Sequence, residues 1–422
     1  MKNIKLRLII MNFLQFAVWG AYLTSMGSYL ANAGQGAHIG VFYALQGITS
    51  IFMPALIGIV ADRWIPAQRM MGICHLISST FLITLGYYGL TMGTEANFGI
   101  LITLFAVGIG FYMPSLSLSY AVAYNALEKA GLDTITAFPP IRTLGTVGFI
   151  CTMLAVDALG FQTTPMQFIV SGILGIILGF YAMTLPDCPI NRSNEKRSLA
   201  DALGLRAFTL FKDRTMATFL IFSLLLGVAL QLSNSYANPF ISSFATIPEF
   251  ADTFGARHAN ALISLSQCSE TLCILLIPFF MKRFGIKKVM LFAMLAWVLR
   301  FGLFGAGNPG NGVWMFILSM IIYGVAFDFF NISGSLFVNA TTDKSMRSSA
   351  QGLFMLMTNG IGATLGTIGA QTVVNHYTEN IDGYMVGDWS TVWYIFAAYA
   401  LVLSIAFTLI FKYKHEKLPE VK

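Results

Sequence analysis

The stretch LIGIVADRWIPAQRMM, from Leu56 to Met71, joins two long apolar segments through a short polar loop. A second stretch, LIPFFMKRFGIKKVML, begins at Leu276 and has the same character. When the two are superposed, Leu56 meets Leu276 and Arg63 meets Arg283. Each copy follows the second apolar segment of its half of the chain. The sequence therefore predicts two structural repeats arranged in parallel.

The composition around these repeats is that of a membrane protein. The chain has 422 residues, of which 56% are hydrophobic and only 10% are charged, against about 25% charged in an ordinary soluble domain. Its mean hydropathy is +0.71. The apolar runs are continuous and long enough for helices, which need about 20 residues to cross a bilayer. The alternating segments of a transmembrane β-barrel are not present. We predict an all-α integral membrane protein.

Twelve transmembrane helices fit this pattern. The first, about 8–30, is too long for a cleaved signal segment. The others are expected at about 39–61, 67–92, 97–124, 141–160, 165–185, 215–238, 258–281, 286–306, 312–338, 347–373 and 390–411. The longest internal polar stretch, 186–214, separates six helices from six. It predicts an N-terminal bundle at 1–185, a cytoplasmic central loop at 186–214 and a C-terminal bundle at 215–422.

The positions of the positive charges predict the orientation. On one side of the membrane the predicted loops and termini hold 22 of the 25 Lys and Arg residues, and on the other side they hold Arg257 alone. Cytoplasmic loops carry an excess of Lys and Arg. Both termini are therefore expected in the cytoplasm. The same distribution explains the pI near 9.0. The excess of basic residues indicates the orientation in the membrane and does not indicate nucleic-acid binding.

Several longer motifs carry a family resemblance. With six plus six helices and Gly58-x-x-x-Asp62-Arg63, the chain resembles the major facilitator superfamily. The stretches FMPALIGIVADRW, FPPIRTLGTVGF, SQCSETLCIL, YGVAFDFFNISGS and RSSAQGLFMLMTNG resemble the nucleoside–proton symporters of the NupG and XapB type within it. The resemblance implies two pseudo-symmetric bundles and import of nucleosides with protons by alternating access. It also implies a bacterial inner-membrane location, with Asp62, Arg63 and Arg283 as conformational latches.

Four ionisable residues lie inside the predicted helices: Arg142, Glu270, Arg300 and Asp328. Charged groups in a bilayer are costly and usually face a cavity or a partner. Asp328 follows Phe327 in a run of aromatic residues, where poor solvation favours the protonated form. Asp328 and Glu270 are therefore the candidate proton carriers, and the sequence does not choose between them. The alternative for Asp328 is a permanent ion pair with Arg142 or Arg300.

Neutral amides are candidates for substrate binding. Gln231 and Asn234 are three residues apart, as are Gln267 and Glu270, so each pair shares a helix face. Carboxamides present both donors and acceptors, which suit the edge of a nucleobase, and the carboxylate of Glu270 suits ribose hydroxyls. The alternative is that these amides only join neighbouring helices.

The fifth predicted helix offers a third group, with Arg142, Thr146 and Phe149 on one face. Arg142 and Thr146 could hydrogen-bond a substrate, and Phe149 could stack on it. The alternative puts Arg142 at the cytoplasmic membrane edge with its head in water. Phe327, as a stacking residue, and Asn359 are further substrate-binding candidates.

For two further sets of polar and aromatic residues, a role in packing or ion pairing is considered beside substrate binding. Arg300 lies in a helix that is peripheral in the superfamily, so a structural ion pair is expected. Gln15, Trp19 and Tyr22 share one face of the first helix, which lines the cavity or packs in the core.

Other functions are disfavoured. The five His residues form no HxxxH or HExxH pair, which argues against a metal site, and there is no Walker A sequence. We expect no cofactor, no catalytic residues and no nucleic-acid partner, but a monomer surrounded by lipid. A sugar or oligosaccharide–proton symporter of the same fold is the alternative function.

Overall fold

The computed structural model describes residues 3–189, 205–342 and 347–413, and the sequence-predicted central loop lies in part outside them. We refer to 3–189 as the N-terminal half and to the described part of 205–413 as the C-terminal half. The N-terminal half contains the helices α1 Ile4–Gly20, α2 Met26–Asn32, α3 Ile39–Arg63, α4 Ala67–Met92, α5 Phe98–Lys129, α6 Thr134–Ala158 and α7 Met166–Met183.

The C-terminal half contains α8 Arg214–Ser243, α9 Phe254–Arg257, α10 Ala259–Ala306, α11 Val313–Thr341, α12 Arg347–Met355, α13 Ala363–Tyr377 and α14 Trp389–Ile410. A π-helical turn, Leu356–Gly362, joins α12 to α13. The strands β1 Thr378–Ile381 and β2 Tyr384–Gly387 pair antiparallel as a hairpin, which the sequence did not predict. Short 3₁₀ turns lie at Gly36–His38, Gly93–Glu95, Leu205–Lys212 and Phe244–Thr246.

Ten helices in the described part of the chain are long and apolar enough to cross a membrane. The chain is a multi-pass integral membrane protein. One of these helices, α10, runs for 48 residues and covers two predicted spans. Gly285 lies inside it with φ of 77°, a left-handed conformation that glycine adopts without steric cost. The two predicted spans therefore meet at a kink and not at an open loop.

The first predicted helix is interrupted. Helix α1 ends at Gly20 and α2 begins at Met26, and the turn between them is closed by short-range bonds such as Ser25 N–H to the Tyr22 carbonyl. Gly20 packs directly on α6, because a Cβ there would lie 2.4 Å from the carbonyl oxygen of Phe149. The hydrophobic run predicted one continuous helix at about 8–30, whereas the structure has two helices there, because close packing on α6 is not visible in the run.

The π-helical turn and α8 also pack through glycine. A Cβ at Gly227 of α8 would lie 2.2 Å from the carbonyl oxygen of Thr358. This contact holds the two backbones together one turn before Gln231. The eleventh predicted helix is thus bulged at its centre, and π-helical turns are frequent at functional sites.

The two ends of the bundle differ. We call the end that carries the β-hairpin and the loop 33–38 the hairpin end, where Asn380 donates a 2.7 Å hydrogen bond to the Ala31 carbonyl. The opposite end, where Gln68 donates to Asp187 at 2.6 Å, is the central-loop end. The candidate residues of α6, α8, α10 and α11 lie between these two ends.

Candidate functional site

Three charged side chains from three helices come together inside the bundle. Arg142 of α6 lies within electrostatic range of both Glu270 of α10 and Asp328 of α11, and the two carboxylates lie within range of each other. Asp328 is buried, at 5% exposure, and its Oδ2 has no hydrogen-bond partner in the described part of the chain. The cluster therefore joins both halves and includes a carboxylate oxygen free to hold a proton.

Arg142 is held in this position from the N-terminal half. Its Nε donates to the Tyr120 hydroxyl at 2.9 Å, and its Nη1 lies 3.5 Å from Thr146 Oγ1. The guanidinium carbon lies 3.9 Å from the ring centre of Phe16, a cation–π geometry. Helix α6 begins at Thr134, two turns before Arg142, so the sequence prediction of its start was wrong. The membrane-edge alternative for Arg142 is wrong as well, because the side chain points to these partners.

The two amides of α8 are joined. Asn234 Nδ2 donates to Gln231 Oε1 at 2.8 Å, which agrees with a shared helix face. Gln231 is buried, and Asn234 is half-buried. Gln267 is half-buried on α10, one turn before Glu270. This leaves the Asn234 oxygen and the Gln231 nitrogen for other partners.

Aromatic pairs involve α6 and α11, two of the helices that carry the cluster. Phe149 of α6 is buried and meets Trp19 edge-on, with ring centroids 6.4 Å apart. Trp19 is half-buried and donates to Gln46 Oε1 at 3.1 Å. On α11, Phe327 is half-buried and stacks on Tyr323 at 5.8 Å with an interplanar angle of 7°. Each half thus supplies an aromatic pair with one member on a helix that carries a residue of the cluster.

Asn359 lies in the π-helical turn. Its Nδ2 is 3.5 Å from the Met355 sulfur, and its buried Oδ1 has no hydrogen-bond partner in the described residues. An unpartnered buried amide oxygen is costly, so Asn359 remains a candidate for a transient ligand.

The prediction of an ion pair for Arg300 is wrong. Its Nε donates to Ser233 Oγ at 3.1 Å and its Nη1 donates to the Ser319 carbonyl at 2.7 Å. Its guanidinium also lies over the rings of Phe304 and Tyr323. Hydroxyl, carbonyl and aromatic groups take the place of the expected carboxylate, and the two acids have Arg142 within electrostatic range.

Of the three predicted latch residues, the structure describes the side chain of Arg283 alone. Asp62 and Arg63 lie in the last turn of α3, but their side chains fall outside the described residues. Arg283 is exposed at the central-loop end, next to the kink of α10. The latch role of these three residues stays a prediction.

A buried polar interface joins the two halves at the hairpin end. Asn238 of α8 donates to Asn260 Oδ1 at 2.7 Å and accepts a hydrogen bond from Ser28 of α2. Thr24 also donates to Asn260 Oδ1, at 3.0 Å. We call these four residues the polar lock, and Asn238 and Asn260 in it are fully buried.

Two neighbouring contacts extend the closure at this end. Asp157 of α6 and His258 are 2.7 Å apart across the halves. The hairpin reaches from the C-terminal half to α2 through Asn380. Further hydrogen bonds between the halves lie at this end, including Gln162 Nε2 to the Arg257 carbonyl at 2.7 Å and Asn375 Nδ2 to the Ala37 carbonyl at 2.8 Å, so the structure is closed there.

Sequence reasoning missed Tyr120 and Tyr323. Tyr323 could have been found, because it lies four residues before Phe327 and therefore on the same helix face. Tyr120 could not, because its contact with Arg142 joins two helices that no spacing rule connects.

The arrangement suits a polar, uncharged solute and a proton. The amides and Thr146 can donate and accept without adding charge, and the aromatic pairs can cover flat apolar surface. The two acids and Arg142 leave one carboxylate that is free to gain or lose a proton.

The comparisons with known proteins agree along the whole chain. The family model described as nucleoside H+ symporter matches residues 1–416. The nucleoside permease NupG of Escherichia coli is 48% identical over 99% of this chain and 98% of its own length. The xanthosine permease of Escherichia coli is 45% identical over 98% and 97%. A crystal structure of a variant of the nucleoside transporter NupG, 45% identical, covers 97% of this chain and all of its own, with a TM-score of 0.91.

Proposed function

The chain belongs to the nucleoside H+ symporter family and has the major facilitator fold, and we propose that it imports nucleosides together with protons across a bacterial inner membrane. One observation carries the proposal. Arg142, Glu270 and Asp328 form a charged cluster within the bundle, and Arg300 of α10 bonds to Ser233 on α8, between the joined amides of Gln231 and Asn234. Such a site can bind a neutral polar solute and a proton together.

The contacts between the two halves at the hairpin end support an alternating-access mechanism. In transporters with repeats, the halves rock about a central site. The polar lock closes the hairpin end, and the excess of Lys and Arg in the sequence puts the opposite end in the cytoplasm. The structure therefore corresponds to a state that is closed to the outside. The moving units are the bundles 1–185 and 215–422, working as a monomer.

The energy source is tested in proteoliposomes. We expect uphill uridine or adenosine uptake when the outside is acidic and the inside negative, and complete loss of accumulation when a protonophore is added. The physical reason is that Glu270 and Asp328 supply carboxylates inside the bundle that can bind a proton. The measurement is accumulation of labelled nucleoside with the gradient imposed and removed.

The control arms use the same vesicles with a sodium gradient at fixed pH, and with labelled sugars in place of nucleosides. Uptake that follows sodium would refute proton coupling. Uptake of a sugar or an oligosaccharide with no nucleoside uptake would favour the alternative substrate class.

The polar lock gives a second prediction. Asn238→Ala removes two hydrogen bonds between the halves, one accepted from Ser28 and one donated to Gln162 Oε1 at 3.4 Å, and each is worth about 0.5–1.5 kcal/mol. The population open at the hairpin end should therefore rise roughly 2- to 13-fold for each bond lost. Pulsed EPR between spin labels at Glu95 and Glu249, both exposed at this end, should show a longer-distance population.

Ser171→Ala is the matched control, since Ser171 is buried and donates at 2.7 Å to Val18 within the N-terminal half. It should leave the distance distribution unchanged. An Asn238→Ala protein with the same distribution as the wild type would show that the polar lock does not set the conformational balance.

A further inference from the structure

Arg300 is the fully buried charge that the proposed mechanism does not use. Its side chain is 1% exposed, in the part of α10 that follows the kink at Gly285. It forms no ion pair with a carboxylate among the described residues. A buried charge without an oppositely charged partner is costly. The hydrogen bonds and aromatic contacts of Arg300 therefore indicate what the side chain does.

The contacts of Arg300 reach helices that carry candidate residues. Ser233, the acceptor for Nε at 3.1 Å, lies on α8 between Gln231 and Asn234. Ser319, whose carbonyl accepts from Nη1 at 2.7 Å, lies on α11. Nη1 also lies 3.5 Å from the hydroxyl of Ser266, which directly precedes Gln267. One guanidinium therefore joins α8, the first part of α10 and α11, the helices that carry the candidate residues Gln231, Gln267 and Asp328.

The ring of Tyr323 continues this connection toward the acids. The guanidinium carbon lies 4.7 Å from its ring centre, and Tyr323 stacks on Phe327, the neighbour of Asp328. A planar fork with several donors in fixed directions can hold three helices at once, whereas the single ammonium of Lys cannot.

We propose that Arg300 is a positioning residue that fixes the substrate-facing sides of α8, α10 and α11 relative to one another. This inference rests on the proposed function, because its readout is nucleoside binding. Arg300 itself does not contact the substrate. It acts through Ser233, Ser266 and Tyr323.

The test measures the KM and Vmax of nucleoside exchange in proteoliposomes for Ser233→Ala and Arg300→Met. Arg300→Met should raise KM roughly tenfold or more, because several bonds to a charged group are lost together. Ser233→Ala removes one of those acceptors and should raise KM roughly 2- to 10-fold. Arg300→Lys should lie between wild type and Arg300→Met.

Two controls separate positioning from stability. Ser223→Ala removes a buried serine on the same helix, whose hydroxyl donates at 2.8 Å to the Phe219 carbonyl of α8. Phe301→Leu removes packing next to Arg300, but Phe301 contacts Trp393 and Phe396 of α14. Both should lower the melting temperature or Vmax at most and leave KM unchanged.

The outcomes are distinct. If Arg300→Met does not fold, Ser233→Ala decides, since it keeps the buried charge and most of its partners. A wild-type KM in Ser233→Ala and in every folded Arg300 variant would overturn the proposal even if Vmax falls. A wild-type protein that exchanges no nucleoside would instead refute the proposed function.

Discussion

Asp328→Asn is expected to abolish proton-driven accumulation of nucleoside and to leave exchange across the membrane intact. A membrane potential of about 100 mV is worth about 2.3 kcal/mol per charge, so one coupled proton supports up to about 50-fold accumulation. In the variant this ratio should fall to about 1. The measurement compares net accumulation with exchange of labelled for unlabelled nucleoside in the same proteoliposomes.

The reason lies in the surroundings of Asp328. Its Oδ2 is buried without a hydrogen-bond partner in the described residues, and Glu270 lies within electrostatic range as a second negative charge beside the single Arg142, so protonation relieves a buried like-charge repulsion. Asn has the size and neutrality of the protonated acid but cannot release a proton. The carrier can then change conformation with substrate bound, because the buried charge that opposes closure is gone.

Two comparisons make this result specific. Asp157→Asn neutralises another buried carboxylate, which contacts His258 at the hairpin end, and should keep proton-driven accumulation. Glu270→Gln decides between the two acids of the cluster. If Asp328→Asn accumulates nucleoside as the wild type does, Glu270 carries the proton. If both variants do so, neither acid couples transport to protons.

A structural role for Asp328 predicts a different pattern. If its charge were needed to compensate Arg142, its removal would leave a buried unpaired cation at a cost of about 3–5 kcal/mol. Expression and exchange would then be lost together. Retained exchange with lost accumulation therefore separates coupling from stability in one pair of assays.

Replacing Gln231, Asn234 or Gln267 with Ala is expected to weaken nucleoside binding roughly 5- to 150-fold each, because a polar group left unpaired in the complex costs about 1–3 kcal/mol. Gln231 and Asn234 are hydrogen-bonded to each other, so their effects should not be additive. The measurement is the Kd of a labelled nucleoside in detergent for the single variants and for the double variant of Gln231 and Asn234.

Gln68→Ala is the matched control for these amides. Gln68 is fully buried but bonds to Asp187 and to the Cys188 backbone at the central-loop end. Its loss should lower the melting temperature and leave Kd unchanged. Wild-type affinity in all three folded amide variants would exclude this surface as the binding site.

The sequence predicted the shared helix face of Gln231 and Asn234 better than the start of α6. The spacing of Gln231 and Asn234 placed them on one face, and the structure joins them at 2.8 Å. The start of α6 was wrong by about two turns, because Pro139-Pro140 indicated a helix start where the structure has continuous helix. The binding and coupling roles of all these residues remain predictions until the variants are measured.

What the sequence determined by itself rests on local or summed properties. Hydrophobic runs of about 20 residues fix the membrane location, and the one-sided Lys and Arg distribution predicts the orientation. Only the tertiary structure decided which end of the bundle is closed, that Arg300 has serine and aromatic partners, and that the hairpin reaches Ala31 through Asn380. These features depend on contacts between residues far apart in the chain. Composition and helical periodicity act along one segment and carry no information about which segments meet.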